Sequence, residues 1–358
     1  MGLRLLFLDA YHGDSHAAFA LGWQAHSRHR ITVETLPPHH WKWRMRSAGA
    51  AFAGRITAGP PTDQDAIVCS SMCDLAQWRA LCPRRLAQLP HILYMHENQC
   101  AYPDGRPDAR DIHFPLTQWT ACLAADTVWW NSAWNRDSFL AGMQTLLRSM
   151  PDRHLPGDWA ARIRARSLVL PPGIDTMPVP EPRDPPTICW VGRWEADKRP
   201  EIFFQALERL QVTGSAFQLA VLGRSYRQVP ACFAQARTTL SPRIRHWGWC
   251  DDPAAYRQVL ASARIVVSSA AHEFFGIAVV EAAAAGCIPV VPQALSYPEI
   301  FDETACYHDG SAADLARVLA AVLADPRLDT GARDRVCRHY AWPRRAAALD
   351  AAVEELCA

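Results

Sequence analysis

The sequence predicts an α/β protein of two domains, each built on a parallel sheet, and three observations predict it. Short apolar runs alternate with longer amphipathic stretches from end to end, the pattern of strands buried between helices. A proline-dense segment divides these runs into two sets. The 358 residues, 49% of them hydrophobic, are enough for two buried cores.

In the first half the expected strands are 3–8, 31–36, 66–69, 91–95, 127–130 and 167–170, and in the second 187–191, 218–222, 244–247, 265–268 and 288–291. Between them stand Pro171-Pro172-Gly173-Ile174-Asp175 and then Pro178, Pro180, Pro182, Pro185 and Pro186. So many prolines continue neither a helix nor a central strand, which makes this the linker. The division is therefore 1–175 for the N-terminal domain, 176–186 for the linker and 187–342 for the C-terminal domain. Residues 343–358 read as a helix able to pack back on the N-terminal domain. Two such domains enclose a cleft, and open α/β sheets bind ligands outside the carboxyl ends of their strands. No repeat is visible beyond alanine-rich helices.

Composition excludes several classes. A formal charge of +1, from 37 basic and 36 acidic side chains, excludes the global basic field of a nucleic-acid coat protein but leaves room for a local patch. The N-terminal apolar run breaks at Asp9, too early for a signal peptide, and Leu6 stands where a myristoylation signal wants Ser or Thr. No run reaches the roughly 18 apolar residues of a membrane span. The expectation is a soluble, cytoplasmic protein with no membrane contact and no evident obligate protein partner. The 12 cysteines are scattered through apolar stretches and include no Cys-x-x-Cys pair. In the tightest group, Cys69 and Cys73, Ala76 replaces the third cysteine of a radical-SAM spacing. Reduced core thiols are expected.

The most informative stretch is Ser268-Ser269-Ala270-Ala271-His272-Glu273-Phe274-Phe275-Gly276-Ile277, running on through Glu281 to Gly286. A strand ends, a turn carries Glu273, and Gly276 opens a helix whose free amides and positive dipole end suit a diphosphate. Glu273 and Glu281 are at most roughly 12 Å apart at a helical rise, a span that suits a sugar at one end and a ribose at the other. Taken one at a time, the alternative for Glu273 is a helix-start acid favoured by the dipole, and for Glu281 a solvated or buried salt-bridge partner. Directly after the first strand of this half, Gly192 permits a sharp turn, and Arg193 and Lys198 can converge on the same diphosphate. Read singly, they are also an ordinary surface pair. No Asp-x-Asp follows a strand, and in Asp251-Asp252 the second residue reads as a helix cap. No metal or other cofactor is expected, because Arg193, Lys198 and the helix end supply the positive charge.

Together these parts, with Leu222-Gly223 and Ala285-Gly286-Cys287-Ile288-Pro289-Val290-Val291, resemble the donor domain of retaining GT-B glycosyltransferases. The resemblance covers most of 187–300. It implies the GT-B fold, two Rossmann-like domains facing a central cleft, and a sugar nucleotide held in the second. It further implies that Arg193 and Lys198 bind the diphosphate, that Glu273 and the amides of Phe275, Gly276 and Ile277 hold the transferred sugar, and that Glu281 binds the ribose. A general base would lie near His246-Trp247-Gly248-Trp249-Cys250. None is assigned, since in such enzymes the donor phosphate is thought to take the acceptor proton.

In the N-terminal half, Asp9-Ala10-Tyr11-His12-Gly13-Asp14-Ser15-His16 leads from a strand into a helix. Gly13 lets backbone approach the donor phosphate or the acceptor, and Ser15 and His16 can hydrogen-bond it. A plain helix cap by Asp14 or Ser15 explains the segment equally well. Tyr94-Met95-His96-Glu97-Asn98-Gln99 puts His96 at a strand end, where it can contact the sugar or orient the acceptor, with Glu97 or Asn98 on a hydroxyl. The alternative is a structural histidine. In Pro37-Pro38-His39-His40-Trp41-Lys42-Trp43-Arg44-Met45-Arg46, aromatic rings interleave with charge, as in surfaces that stack on bases and pair with phosphates. The alternative is an amphipathic helix with its tryptophans in the core and Lys42, Arg44 and Arg46 solvated.

These segments, with Ser70-Ser71-Met72-Cys73-Asp74-Leu75 and Asn131-Ser132 through Arg136-Asp137-Ser138-Phe139-Leu140, resemble in order the tRNA-queuosine mannosyltransferase family over most of 3–140. By implication the donor is GDP-mannose, the acceptor is the cyclopentenediol of queuosine in aspartate tRNA, and the product is α-mannosyl-queuosine. Glu273 and His96 are then the catalytic candidates. Gly13, Arg193, Lys198, Phe275, Gly276, Ile277 and Glu281 bind the donor, and Ser15, His16, Lys42, Arg44, Arg46, Glu97 and Asn98 the acceptor. A compact 102–117 stretch departs from the pattern. Two other readings stay open: the same chemistry on a free nucleoside, lipid or glycan, and a nucleotide-binding module without transfer. A dinucleotide enzyme lacks its Gly-x-Gly-x-x-Gly after 3–8.

Overall fold

The computed structural model describes residues 2–60, 63–102, 111–151, 157–178, 184–225 and 228–358. Part of the expected linker (179–183) and much of the compact stretch (103–110) lie outside the described residues. The chain forms two units, Met1–Gly173 with Trp342–Ala358, and Ile174–Ala341.

The first unit holds a sheet of β1 (Arg4–Asp9), β2 (Arg30–Thr35), β3 (Ala66–Ser70), β4 (His91–Met95), β5 (Thr127–Trp130) and β6 (Ser167–Val169), parallel throughout and ordered β2-β1-β3-β4-β5-β6. In β1 the side chains alternate between two cores. Leu6 and Leu8 enter the one that holds Trp78 and Phe139, while Leu5 and Phe7 enter the one that holds Trp23 and Trp129. Burial on both faces is why this strand reads as a continuous apolar run.

The C-terminal helix Trp342–Cys357 closes the second of these cores, placing Trp342, Ala346, Leu349 and Val353 beside Phe7, Phe19 and Trp23. Gly22 and Gly173 make room for the Trp342 indole, since a Cβ on either would come within 2.1 and 2.2 Å of it. On the same helix, the buried Asp350 carboxylate accepts from Trp23 Nε1 (2.8 Å), Ser27 Oγ (2.7 Å) and the Arg28 amide (2.9 Å).

The second unit holds β7 (Thr187–Val191), β8 (Gln218–Leu222), β9 (Ile244–Gly248), β10 (Ile265–Val267), β11 (Ile288–Pro292) and β12 (Cys306–His308) in the order β12-β11-β10-β7-β8-β9, again all parallel. β12 was not anticipated, because Cys306-Tyr307-His308 is short, half-exposed at a sheet edge and carries no apolar run. In both sheets the strand order reverses beside the first strand, between β1 and β3 and between β7 and β10. Loops leaving the carboxyl ends on either side of such a reversal part from one another and leave a crevice.

Asp252 caps Pro253–Ala261 by accepting from the Ala254 amide, as its position before Pro253 suggests. The helix Asp14–His26 behaves otherwise, with Gly13 at its cap position, which has no side chain to cap the helix. The helix after Gly276 spans Ile277–Ala284, two residues short of Gly286, which has φ of +100°. Among the described residues no helix is long and apolar enough to cross a membrane.

Candidate active site

In the second unit the reversal point lies between β7 and β10, and the two loops that leave it are bound to each other. From the β7 side, Lys198 reaches across to the β10 loop, with Nζ 2.8 Å from the His272 carbonyl and 3.0 Å from Glu273 Oε2. Ser269 Oγ bonds back to the carbonyls of Lys198 and Arg199, both at 2.9 Å, and the Ala271 amide donates to the Asp197 carbonyl. Arg193 stands on the same loop with Nη2 3.2 Å from Glu195 Oε2 and 3.8 Å from Asp197 Oδ2.

Charge follows from these contacts. Burial opposes ionisation of Glu273, but Lys198 outweighs it and holds the carboxyl below its ordinary range. His272 is buried beside the same ammonium and is pushed down to about 4, so it is neutral at physiological pH. Glu281, on the helix that follows, has no ammonium bonded to it, and the nearby Arg257 guanidinium only partly offsets its burial. Burial, with Asp175 adding repulsion, drives it up to about 7 against the hydroxyl of Tyr256, which donates to its Oε2 at 2.8 Å.

Gly276 is in the left-handed region (φ +77°, ψ +43°) at the cap of the helix. A Cβ there would sit 3.0 Å from Tyr297 Cε1 and 3.3 Å from Glu273 Cγ. The Tyr297 ring is held by its hydroxyl's 2.7 Å bond to Ser268 Oγ. The first helical bonds run from the amides of Val279 and Val280 to the Gly276 carbonyl, so the amides of Phe275, Gly276 and Ile277 lie ahead of the ladder. A lysine, an arginine, a charged glutamate and leading amides thus share one strand-end crevice, and this arrangement can hold an anion and a polyol side by side.

In the first unit the reversal point gathers Asp9 at the end of β1, Ser71 after β3 and Glu97 after β4 around His16. His16 Nε2 is 2.9 Å from Glu97 Oε2 and Nδ1 3.7 Å from Asp9 Oδ1, while Ser71 Oγ donates to Glu97 Oε1 and His12 Nδ1 lies 2.8 Å from Asp9 Oδ2. The two carboxylates overcome burial and raise His16 to about 10, and the charged ring in turn lowers Asp9 to about 2 and lowers Glu97. The His96 ring stacks on His16 with centroids 3.9 Å apart and is pushed down to about 3, by burial first and by that cation second. Its buried Nε2 has no hydrogen-bond partner among the described residues, a polar atom poised for a ligand.

Of the other N-terminal candidates, Asn98 is wholly buried. Its Nδ2 donates to Asn135 and Ser138 and its Oδ1 accepts from the amides of Cys100 and Ala101. Gly13 packs on Pro38, where a Cβ would meet that ring at 2.5 Å. Ser15 is exposed. Lys42, Arg44 and Arg46 stand on the helix Trp41–Ala58, which lies in the same unit.

Sequence reasoning passed over Asp9, Ser71, Tyr256 and Tyr297. Asp9 ends its strand just as His96 follows one, so strand-end position would have found it. Tyr256 lies inside the helix Pro253–Ala261 with no local signal, and only packing brings it to Glu281. Among the described residues no three His, Cys, Asp or Glu side chains are grouped to hold a metal ion, and all 12 cysteines are free thiols.

Solved structures share this architecture. Sucrose-phosphate synthase from Thermosynechococcus elongatus superposes with a TM-score of 0.76 over 99% of both chains at 15% identity, and Anabaena HepE in complex with UDP-glucose with 0.72 over 99% of this chain and 100% of that one at 14% identity. The protein is a glycosyltransferase of the GT-B fold, and residues 176–338 match the profile described as glycosyl transferases group 1. Residues 4–174 match the profile of the tRNA-queuosine alpha-mannosyltransferase N-terminal region. Over 357 residues, 95% of this chain and 92% of the relative, it is 30% identical to tRNA-queuosine alpha-mannosyltransferase of Drosophila melanogaster. The chain belongs to the tRNA-queuosine alpha-mannosyltransferase family.

Proposed function

We propose that this enzyme transfers mannose from GDP-mannose, with retention of configuration, to the cyclopentenediol of queuosine in aspartate tRNA, a reaction of the cytoplasm. The observation that carries the reading is the match of residues 4–174 to the tRNA-queuosine family rather than to glycosyltransferases at large. In the transfer the bond between the anomeric carbon and the diphosphate oxygen breaks. The acceptor hydroxyl oxygen bonds to that carbon, and its proton passes to the departing phosphate.

Each group then has a task. Arg193, Lys198 and the leading amides at Gly276 take up the charge that grows on the diphosphate, the work a divalent cation does elsewhere, so the reaction needs no metal. Glu273, kept charged by Lys198, accepts from sugar hydroxyls and Glu281 from the ribose. His96 offers its unpaired Nε2 to the sugar or the acceptor. Ser15, His16, Glu97 and Asn98 shape the acceptor side, and Lys42, Arg44 and Arg46 meet tRNA phosphates. The test is to incubate the enzyme in EDTA with GDP-mannose, or with UDP-sugars, and queuosine-containing or queuosine-free tRNA, then digest and weigh the nucleosides. A hexose on queuosine with GDP-mannose alone is expected. Donor hydrolysis with no modified nucleoside would sink the reading, and a product found only with metal would remove the metal-free step.

A further inference from the structure

Residues 35–62 contain no Asp or Glu, yet carry Lys42, Arg44, Arg46 and Arg55 with His39 and His40 ahead of them. The helix Trp41–Ala58 starts among these cations and has no acid in its first turn. At that end the helix dipole is already positive and favours acids, so Lys42 and Arg44 sit where they destabilise the helix. The neighbouring helix His113–Ala124 has no acidic residue within it, and Asp111 just ahead of it is engaged with the His113 amide at 3.1 Å. A surface so charged is built to face an anion.

The aromatic groups sort themselves on it. Trp41 packs on Phe114 with centroids 5.0 Å apart. Lys42 Nζ lies 5.6 and 5.8 Å from those two rings, and the Arg46 guanidinium lies 5.6 Å from Phe114 with Nη1 3.2 Å from Thr117 Oγ1. Two cations are thereby fixed on a ring pair. Trp43 does the opposite. It stands 63% exposed, three residues from Arg46 on one helix face, and makes no ring contact with a described residue. It is the one large apolar side chain exposed along 37–46. A membrane-seated helix would present a row of them.

We propose that Lys42, Trp43, Arg44 and Arg46 form a docking surface for an unpaired stretch of RNA, with the Trp43 indole as the platform on which one base stacks and the cations on the flanking phosphates. The inference rests on an RNA acceptor and adds how its strand is held. Stacking accepts any base, whereas a paired duplex offers no free face. The surface adjoins the first unit's strand ends: Pro38 packs on Gly13, and the His12 amide bonds the Leu36 carbonyl at 2.9 Å. A docked strand is thereby led toward His96.

Fluorescence anisotropy tests this with a labelled anticodon stem-loop lacking queuosine, a fully paired RNA duplex, and phosphatidylserine–phosphatidylcholine vesicles. The stem-loop is expected to bind more tightly than the duplex. Trp43→Ala should weaken stem-loop binding roughly tenfold or more while Trp43→Phe keeps most of it. Lys42→Ala should flatten the slope of log affinity against log salt by about 0.7. Trp43 is exposed, and unchanged thermal unfolding of the variants confirms that any loss is one of binding. Native affinity in Trp43→Ala, equal affinity for the duplex, or a preference for vesicles would overturn the proposal. Because the probe carries no queuosine, intact stem-loop binding with no mannosylated product would instead fault the acceptor reading alone.

Discussion

Glu273 and Glu281 lie on one short segment, and their neighbours set them apart. Lys198 keeps the first ionised, while burial and Asp175 push the second to about 7 against the Tyr256 hydroxyl and Arg257, which pull it the other way. The raised value has a consequence for stability. The folded chain keeps a proton on Glu281 that the unfolded chain has already released above its ordinary value near 4.5, so the native enzyme loses stability as pH rises from there to about 7. Glu281→Gln has nothing to ionise and can still accept from Tyr256. The variant should match the native chain near pH 4 and exceed it at pH 8 by about 2 kcal/mol, a figure discounted for the water that reaches the half-buried carboxyl. Urea unfolding at both pH values measures it, and a difference that does not change with pH contradicts the assigned environment. Spacing made both glutamates visible in the sequence. Their different charge states were not visible, because the groups responsible lie at 175, 198, 256 and 257.

Two glycines govern the turns of the candidate site. Gly223 follows β8 with φ of +152°, and a Cβ there would stand 1.8 Å from the carbonyl oxygen of Gly192 on the loop after β7. Both sides of that contact are backbone and neither can yield. At Gly276 the obstruction is milder, 3.0 Å from a tyrosine ring in a left-handed turn. Gly223→Ala should therefore cost more than about 3 kcal/mol, and Gly276→Ala about 1–2 kcal/mol. Thermal unfolding ranks them, and the reverse order would mean that the β7 and β8 loops are not packed this closely. Most of the expected strands were legible because burial on both faces gives an unbroken apolar run. β12 was not, since an edge strand owes its place to pairing with β11 through Val290–Pro292 rather than to composition.

For the whole molecule, the last helix belongs to the first unit although it follows the second in sequence. Removing 342–358 strips Trp342, Leu349 and Val353 from a core, roughly 5 kcal/mol or more, which is comparable to the stability of an entire domain. The Trp23 indole, Ser27 and the Arg28 amide also lose their acceptor, Asp350. The truncated chain should be cut by protease within 1–173 while 174–341 stays protected, and equal protection of the two would show that the helix is dispensable. Asp350→Ala alone should cost about 2–4 kcal/mol.

The sequence by itself determined that two parallel α/β sheets form, where nearly every strand lies, and which loops carry Arg193, Lys198, Glu273 and His96. These are local matters, fixed by apolar periodicity, proline and residue order. Only the tertiary structure decided that Lys198 bridges to Glu273, that His16 is clamped as a cation between Asp9 and Glu97 with His96 neutral at its face, and that Trp43 stays in water. Ionisation and exposure depend on which distant groups a strand order brings together, and strand order is settled by packing across the whole sheet.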